Sequence, residues 1–219
     1  MSSTATSVSL RISEIFYSLQ GETSRVGLPT VFVRLTGCPL RCHYCDTAYA
    51  FTGGKNMTLQ AMMDEVKRYN TRYVTVTGGE PLAQKNCLPL LTMLCDAGYQ
   101  VSLETSGALD VSGVDPRVMK ILDIKTPASG EVEKNLWANL DLLTANDEIK
   151  FVLCDEADYR WAKQVLLEKK LDAKCVVLFS PSQGQLSPTD MADWILRDQL
   201  PVRMQLQLHK VLWGNVAGR

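Results

Sequence analysis

The chain has 219 residues, 46% hydrophobic and 21% charged, which is ordinary for a globular protein and enough to bury one core without covalent staples. Lysine and arginine number 23 against 24 aspartate and glutamate, a net charge of −1, so no cationic excess exists to hold a phosphate backbone, and no direct nucleic-acid partner is expected. No stretch approaches the roughly 20 apolar residues of a membrane span, and the Ser/Thr-rich start lacks a secretory signal pattern, so a cytoplasmic protein without a membrane partner is expected. In that compartment the seven cysteines stay reduced, and clustered ones serve metal binding or catalysis.

In chain order, residues 1–11 read as a disordered N-terminal tail. Short β-branched apolar runs at 30–35, 73–77, 100–104, 120–124, 148–153, 175–179 and 202–206 predict strands. Amphipathic segments at 58–69, 86–97, 133–143, 155–169 and 188–198 predict helices between them. The first of these puts Leu59, Met62, Met63 and Val66 on one face. The last opens with Ser187 as cap and Pro188 at the first helical position, and Gly98 is a stop for the second. Strand and helix alternating about six times predict an α/β fold with a parallel sheet. A complete eight-fold barrel takes about 250 residues, so the expectation is an incomplete (β/α) barrel of about six βα units, one domain over 12–219.

Chemistry in such folds sits at the carboxyl ends of the strands. The unusual residues fall there. Cys38, Cys42 and Cys45, spaced C-x3-C-x2-C, follow the first predicted strand, and Gly78-Gly79-Glu80-Pro81 the second. Glu104 ends the third, Asp123 and Lys125 flank the end of the fourth, Ser180 follows the sixth, and His209 comes after the last. Three thiolates on a short loop can hold a cubane iron–sulfur cluster and leave one iron for a small molecule. Zinc, with His43 as the nearest fourth ligand, is the alternative. Cys87, Cys95, Cys154 and Cys175 lie in helix or strand patterns and read as small core residues.

The cysteine spacing, with Tyr44 as the aromatic before the third cysteine, and the G-G-E-P stretch resemble the radical S-adenosylmethionine superfamily. Phe16-Tyr17-Ser18-Leu19-Gln20-Gly21-Glu22, Cys45-Asp46-Thr47 and Gln205-Leu206-Gln207-Leu208-His209-Lys210 narrow the resemblance to the 7-carboxy-7-deazaguanine synthase family, from about Ile12 to Lys210. The resemblance implies a radical carbon–nitrogen lyase that contracts the ring of 6-carboxy-5,6,7,8-tetrahydropterin with loss of ammonia. It implies a 4Fe-4S cluster on the three cysteines, S-adenosylmethionine as a regenerated cofactor, and Mg2+ on Thr47. It places Tyr44, Gly79, Glu80, Asp123, Lys125 and Ser180 at the cofactor, and Glu104 between the cofactor ribose and the substrate. Leu19, Gln20, Gly21, Glu22, Arg34, Thr77 and His209 go to the substrate, with Arg34 facing its carboxylate. A homodimer and an electron donor such as a flavodoxin or ferredoxin are implied as well. Thr23 departs from the family, which often has glycine there.

Overall fold

The computed structural model describes residues 8–214 and 216–218. A nine-stranded sheet runs through it. Its strands are β1 (Ser9–Leu19), β2 (Pro29–Leu35), β3 (Lys55–Thr58), β4 (Tyr73–Gly78), β5 (Gln100–Thr105), β6 (Met119–Ile124), β7 (Glu148–Leu153), β8 (Val176–Pro181) and β9 (Arg203–Met204). Their order is β3-β1-β2-β4-β5-β6-β7-β8-β9. From β2 to β9 every neighbour is parallel, whereas β1 is antiparallel to both β2 and β3. The sheet does not close, and the fold is an incomplete α/β barrel with two antiparallel strands added at one edge.

Five helices accompany it: α1 (Leu59–Val66), α2 (Cys87–Asp96), α3 (Glu156–Glu168), α4 (Pro188–Asp198) and α5 (Leu208–Trp213). Thr58, Asp155 and Ser187 each cap a helix by accepting a backbone N–H three residues on, which satisfies one of the four orphan donors at a helix start. Leu59, Met62, Met63 and Val66 are all buried, as their spacing requires.

Three expectations need correction. The disordered tail assigned to 1–11 overlaps β1, whose Leu10 and Ile12 are buried in the core; the rest of it, 1–7, lies outside the described residues. The helix expected at 133–143 is instead two short 3-10 turns, Val132–Lys134 and Trp137–Leu142. Two asparagines explain it. Asn135 bonds both the N–H and the carbonyl of Lys125, at 2.9 and 2.8 Å. Asn139, fully buried, accepts from Val111 N and donates to the carbonyls of Gly107 and Leu109. These side chains satisfy backbone elsewhere, and that competes with a regular helical ladder. Finally, the last predicted strand, 202–206, shrinks to the two residues of β9, and α5 follows it.

Alternation along the parallel strands decides what the barrel encloses. Val31, Val33, Leu35, Val74, Val76, Val101, Leu103, Ile149, Phe151 and Leu153 belong to the core that also holds Met62, Leu90, Leu94, Tyr159 and Leu166 from the helices. The intervening residues Arg34, Thr77, Glu104, Asp123 and Lys150 line a common interior cleft. Register sets their neighbours: Arg34 pairs with Thr77, and Asp123 with Lys150. The 20–28 loop reaches the barrel interior and the cleft wall. Gln20 bonds Thr75 inside the sheet at 3.1 Å, and Ser24 N donates to Glu148 Oε1 at the start of β7 at 2.9 Å.

Candidate active site

The three cysteines lie on the loop leaving β2, are free thiols and are partly exposed, and all three line the cleft. Burial pushes each thiol above its ordinary range, Cys42 to about 11, so this loop favours thiolates only when a cation centre is bound. Among the described residues no three His, Cys, Asp or Glu side chains are placed to hold a single metal ion. His43 does not turn in to complete a zinc site: its N–H donates to Ser129 O at 3.0 Å, its Nδ1 lies 3.3 Å from Ala128 O, and its ring covers Gly130. The donor set, three soft thiols spread along one open loop, fits an iron–sulfur cluster.

The G-G-E-P stretch supports that loop. A Cβ on Gly79 would fall 2.7 Å from the Gly37 carbonyl carbon and 2.8 Å from Cys38 Cβ. The absence of a side chain therefore lets β4 dock on the loop that carries the first cysteine. Gly37 is pinned there: its carbonyl accepts from Glu80 N and its N–H donates to Ala50 O, both at 2.8 Å. Glu80 stands outside the cleft. Its carboxylate is fully buried and accepts from Leu82 N, Thr105 Oγ1, Ser106 N and Ser106 Oγ at 2.5–2.9 Å. With its lone pairs so engaged it does not line the cleft, and it ties the end of β4 to the end of β5.

Ser180 stands outside the cleft as well. It is buried within β8, which runs on to Pro181, so the first serine beyond the strand, Ser182, lines the cleft instead. Every other residue expected at the site lines this one cleft.

On one wall Arg34 donates from Nε to Glu14 Oε1 at 2.8 Å, its cross-strand partner, and its guanidinium lies over the rings of Phe16 and Tyr49. Tyr49 donates its hydroxyl to the same Glu14 oxygen at 2.7 Å. Phe16 and Phe32 stack with centroids 4.9 Å apart, an apolar surface beside the guanidinium. Thr77 Oγ1 donates to Glu104 Oε2 at 2.9 Å, and Gln20 Nε2 reaches Glu104 Oε1 at 3.4 Å. Burial, then the nearby Glu22 charge, pushes the Glu104 carboxyl up.

The opposite wall is a charge network. Lys150 Nζ stands 2.5 Å from Glu22 Oε2 and 3.4 Å from Asp123 Oδ2, and Lys125 Nζ stands 3.1 Å from Asp123 Oδ1. Burial alone would raise the Glu22 carboxyl, but the Lys150 charge and hydrogen bond outweigh it and hold it below the ordinary carboxylate range. Lys125 does not align for a hydrogen bond, and Asp123 Oδ1 is a buried acceptor without one among the described residues, as the Tyr44 hydroxyl is a buried group without one. Two such orphans at one cleft mark where a polar ligand belongs. Lys150 is not among the residues expected here. Its signal was present: a lysine on an otherwise apolar strand, E-I-K-F-V-L, needs a buried partner just as Arg34 does in V-F-V-R-L.

The cleft is roofed by the chain after β9. Gln207 Nε2 donates to Glu22 Oε1 at 2.6 Å and Leu208 N to Gly21 O at 2.9 Å. Gly21 admits the His209 ring: a Cβ there would collide with Nδ1 and lie 3.0 Å from Cγ. Burial lowers the His209 pKa, keeping its imidazole neutral near pH 7. Lys210 Nζ meets Asp46 Oδ2 at 2.6 Å, and Thr47 Oγ1 donates to Asp46 Oδ1 at 2.9 Å, which leaves the Thr47 lone pairs for a cation. One neutral oxygen beside a carboxylate fits Mg2+ when substrate and water supply the remaining ligands.

The profile of the radical SAM superfamily matches residues 32–170. A relative from Chlorobaculum tepidum, named 7-carboxy-7-deazaguanine synthase, is 50% identical over 213 residues, 96% of this chain and 97% of its own. One of the same name from Koribacter versatilis is 43% identical over 93% of this chain and 97% of its own. The crystal structure of QueE from Escherichia coli, 24% identical, shares the fold with a TM-score of 0.77 over 92% of this chain and 95% of that one. Three thiols on the loop after β2, Gly79 docked against that loop, and relatives up to 50% identical over nearly the whole chain lead to one assignment: the chain belongs to the 7-carboxy-7-deazaguanine synthase family of the radical SAM superfamily.

Proposed function

We propose that this chain converts 6-carboxy-5,6,7,8-tetrahydropterin to 7-carboxy-7-deazaguanine and ammonia. The observation that carries the reading is the convergence of the cysteine loop, Gly79, Arg34, Thr77, Glu104 and His209 on one cleft. When bound, the cluster and S-adenosylmethionine would supply reversible hydrogen-atom abstraction, and the net change is loss of NH3. Cys38, Cys42 and Cys45 would hold the cluster. Tyr44, Gly79, Asp123 and Lys125 would border S-adenosylmethionine, and Asp123 Oδ1, ion-paired to Lys125 but without a hydrogen bond, would accept from one of its donors.

The protein's own residues then orient the pterin. The Arg34 guanidinium, its Nε held by Glu14, offers its outer nitrogens to the substrate carboxylate. The stacked Phe16–Phe32 surface suits a flat ring. Gln20, Glu22 and Glu104 present amide and carboxylate oxygens to ring N–H groups, and His209 closes the mouth as a neutral imidazole. Thr47 would hold Mg2+ against a substrate oxygen. The protein is further proposed to act in the cytoplasm as a homodimer, reduced by a flavodoxin or ferredoxin.

The test is anaerobic turnover of reconstituted protein with S-adenosylmethionine, reductant, Mg2+ and the tetrahydropterin, read by mass spectrometry. Product that depends on S-adenosylmethionine is expected. Slow 5′-deoxyadenosine without the deazaguanine would sink the substrate assignment, and neither product from an intact cluster would sink the radical assignment as well.

A further inference from the structure

One buried cation belongs to none of the roles above. Lys150 lies on the inner face of β7, with its side chain 11% exposed, between Glu22 at 9% and Asp123 at 18%. Its ammonium reaches one oxygen of each carboxylate. Their other oxygens point to different business: Glu22 Oε1 takes the roof residue Gln207, and Asp123 Oδ1 is left without a hydrogen bond. We propose that Lys150 is a positioning residue that aims both carboxylates at once, Glu22 toward the pterin and Asp123 toward S-adenosylmethionine, so that the two subsites share one cation. The inference rests on the reading of the cleft proposed above.

The physical case is the cost of removing that cation. Three carboxylates, Glu22, Glu104 and Asp123, face Lys150, and Asp123 faces Lys125 as well. Among the described residues, Glu22 without Lys150 loses its only ion pair, and Asp123 keeps only Lys125, on the oxygen meant for the ligand. Buried carboxylates in that state swing away or take up a proton. Either response disturbs both subsites, because Asp123 on β6 and Glu22 on the 20–28 loop come from separate segments and, among the described residues, only Lys150 pairs with both. Lysine suits the task better than arginine, since a compact ammonium fits between two single oxygens where a planar fork would spread.

The experiment compares wild type, Lys150→Met, Lys150→Arg and Lys150→Met/Glu22→Gln, each with a reconstituted cluster. The double variant removes a cation and a carboxylate together and remains informative where the single one fails to fold. S-adenosylmethionine affinity is measured by calorimetry, with iron content as control. The KM for the pterin is measured at saturating S-adenosylmethionine. Both are expected to weaken about tenfold in Lys150→Met, with S-adenosylmethionine affinity equally weak in the double variant and iron content unchanged. Lys150→Arg should recover part of the loss. Wild-type S-adenosylmethionine affinity in the double variant, an effect on one ligand alone, or a loss that tracks iron content would each overturn the proposal. If the wild type binds S-adenosylmethionine but never converts the pterin, the substrate reading fails, while the affinity comparison still judges Lys150 at the cofactor wall.

Discussion

Gly79→Ala separates two explanations of the glycine pair. If the glycines serve only to let a ligand approach, an added methyl costs cofactor affinity and little else. The structure predicts a different outcome. The new Cβ would sit 2.8 Å from Cys38 Cβ and 2.7 Å from the Gly37 carbonyl carbon, against at least 3.4 Å for ordinary contact. The deficit is 3.4 − 2.8 = 0.6 Å at Cys38 and 3.4 − 2.7 = 0.7 Å at Gly37. Gly37 cannot yield freely, because bonds to Glu80 N and Ala50 O hold it from both sides. Overpacking of this kind costs about 1–3 kcal/mol, and each kcal/mol lowers the melting temperature of a chain this long by about 2–4 °C. Metal–ligand distances tolerate only about 0.2 Å, so displacing Cys38 by half an ångström should impair cluster retention. Iron content, the visible absorbance of the reconstituted protein and thermal melting are the assays. A Gly79→Ala protein with full iron and an unchanged melting temperature, impaired only in S-adenosylmethionine binding, would refute the docking account.

Gln205→Ala should destabilise the fold. The Gln205 amide accepts from Thr23 N at 2.7 Å and donates to Thr23 O at 2.9 Å, and Thr23 is a buried β-branched residue at φ +69°. Leaving those backbone groups unpaired costs about 2–4 kcal/mol in urea unfolding; a change below about 0.5 kcal/mol would show that the latch does not matter. Glu104→Gln tests the raised carboxyl. Its charged form is penalised in the fold, so the wild type loses stability as pH rises above 4.5 toward the raised folded value. The variant should therefore melt higher than wild type near pH 7 and gain nothing below about pH 4; an equal gain at both would rule out the ionic cause. Gly21→Ala should push His209 off the 20–28 loop and raise the KM for the pterin while S-adenosylmethionine affinity holds. A loss of S-adenosylmethionine affinity instead would put His209 at the wrong subsite.

Much of the site was legible because its signals are local. The cysteine spacing, the tyrosine before Cys45 and the residues that end each strand are properties of short stretches, and the alternation of strand and helix told which face they would share. Arg34 was legible for the same reason, being a lone cation in an apolar strand. The asparagine-tied 3-10 turns at 132–142 were not, because an amphipathic pattern reports a buried stripe and cannot report that Asn135 and Asn139 will satisfy the backbone of distant loops.

What the chain order alone determined is the kind of centre and the end of the barrel that carries it, since thiolate spacing and side-chain period are set by covalent geometry. Tertiary structure decided which polar groups are free to act. Glu80 reads in sequence as a ligand-facing carboxylate and is consumed by Thr105 and Ser106. Lys150 reads in sequence as a lysine in want of a buried partner, and only the fold supplies two, Glu22 and Asp123. Whether a charge is spent or available depends on partners 25 to 128 positions away in the chain, and only packing brings those partners together.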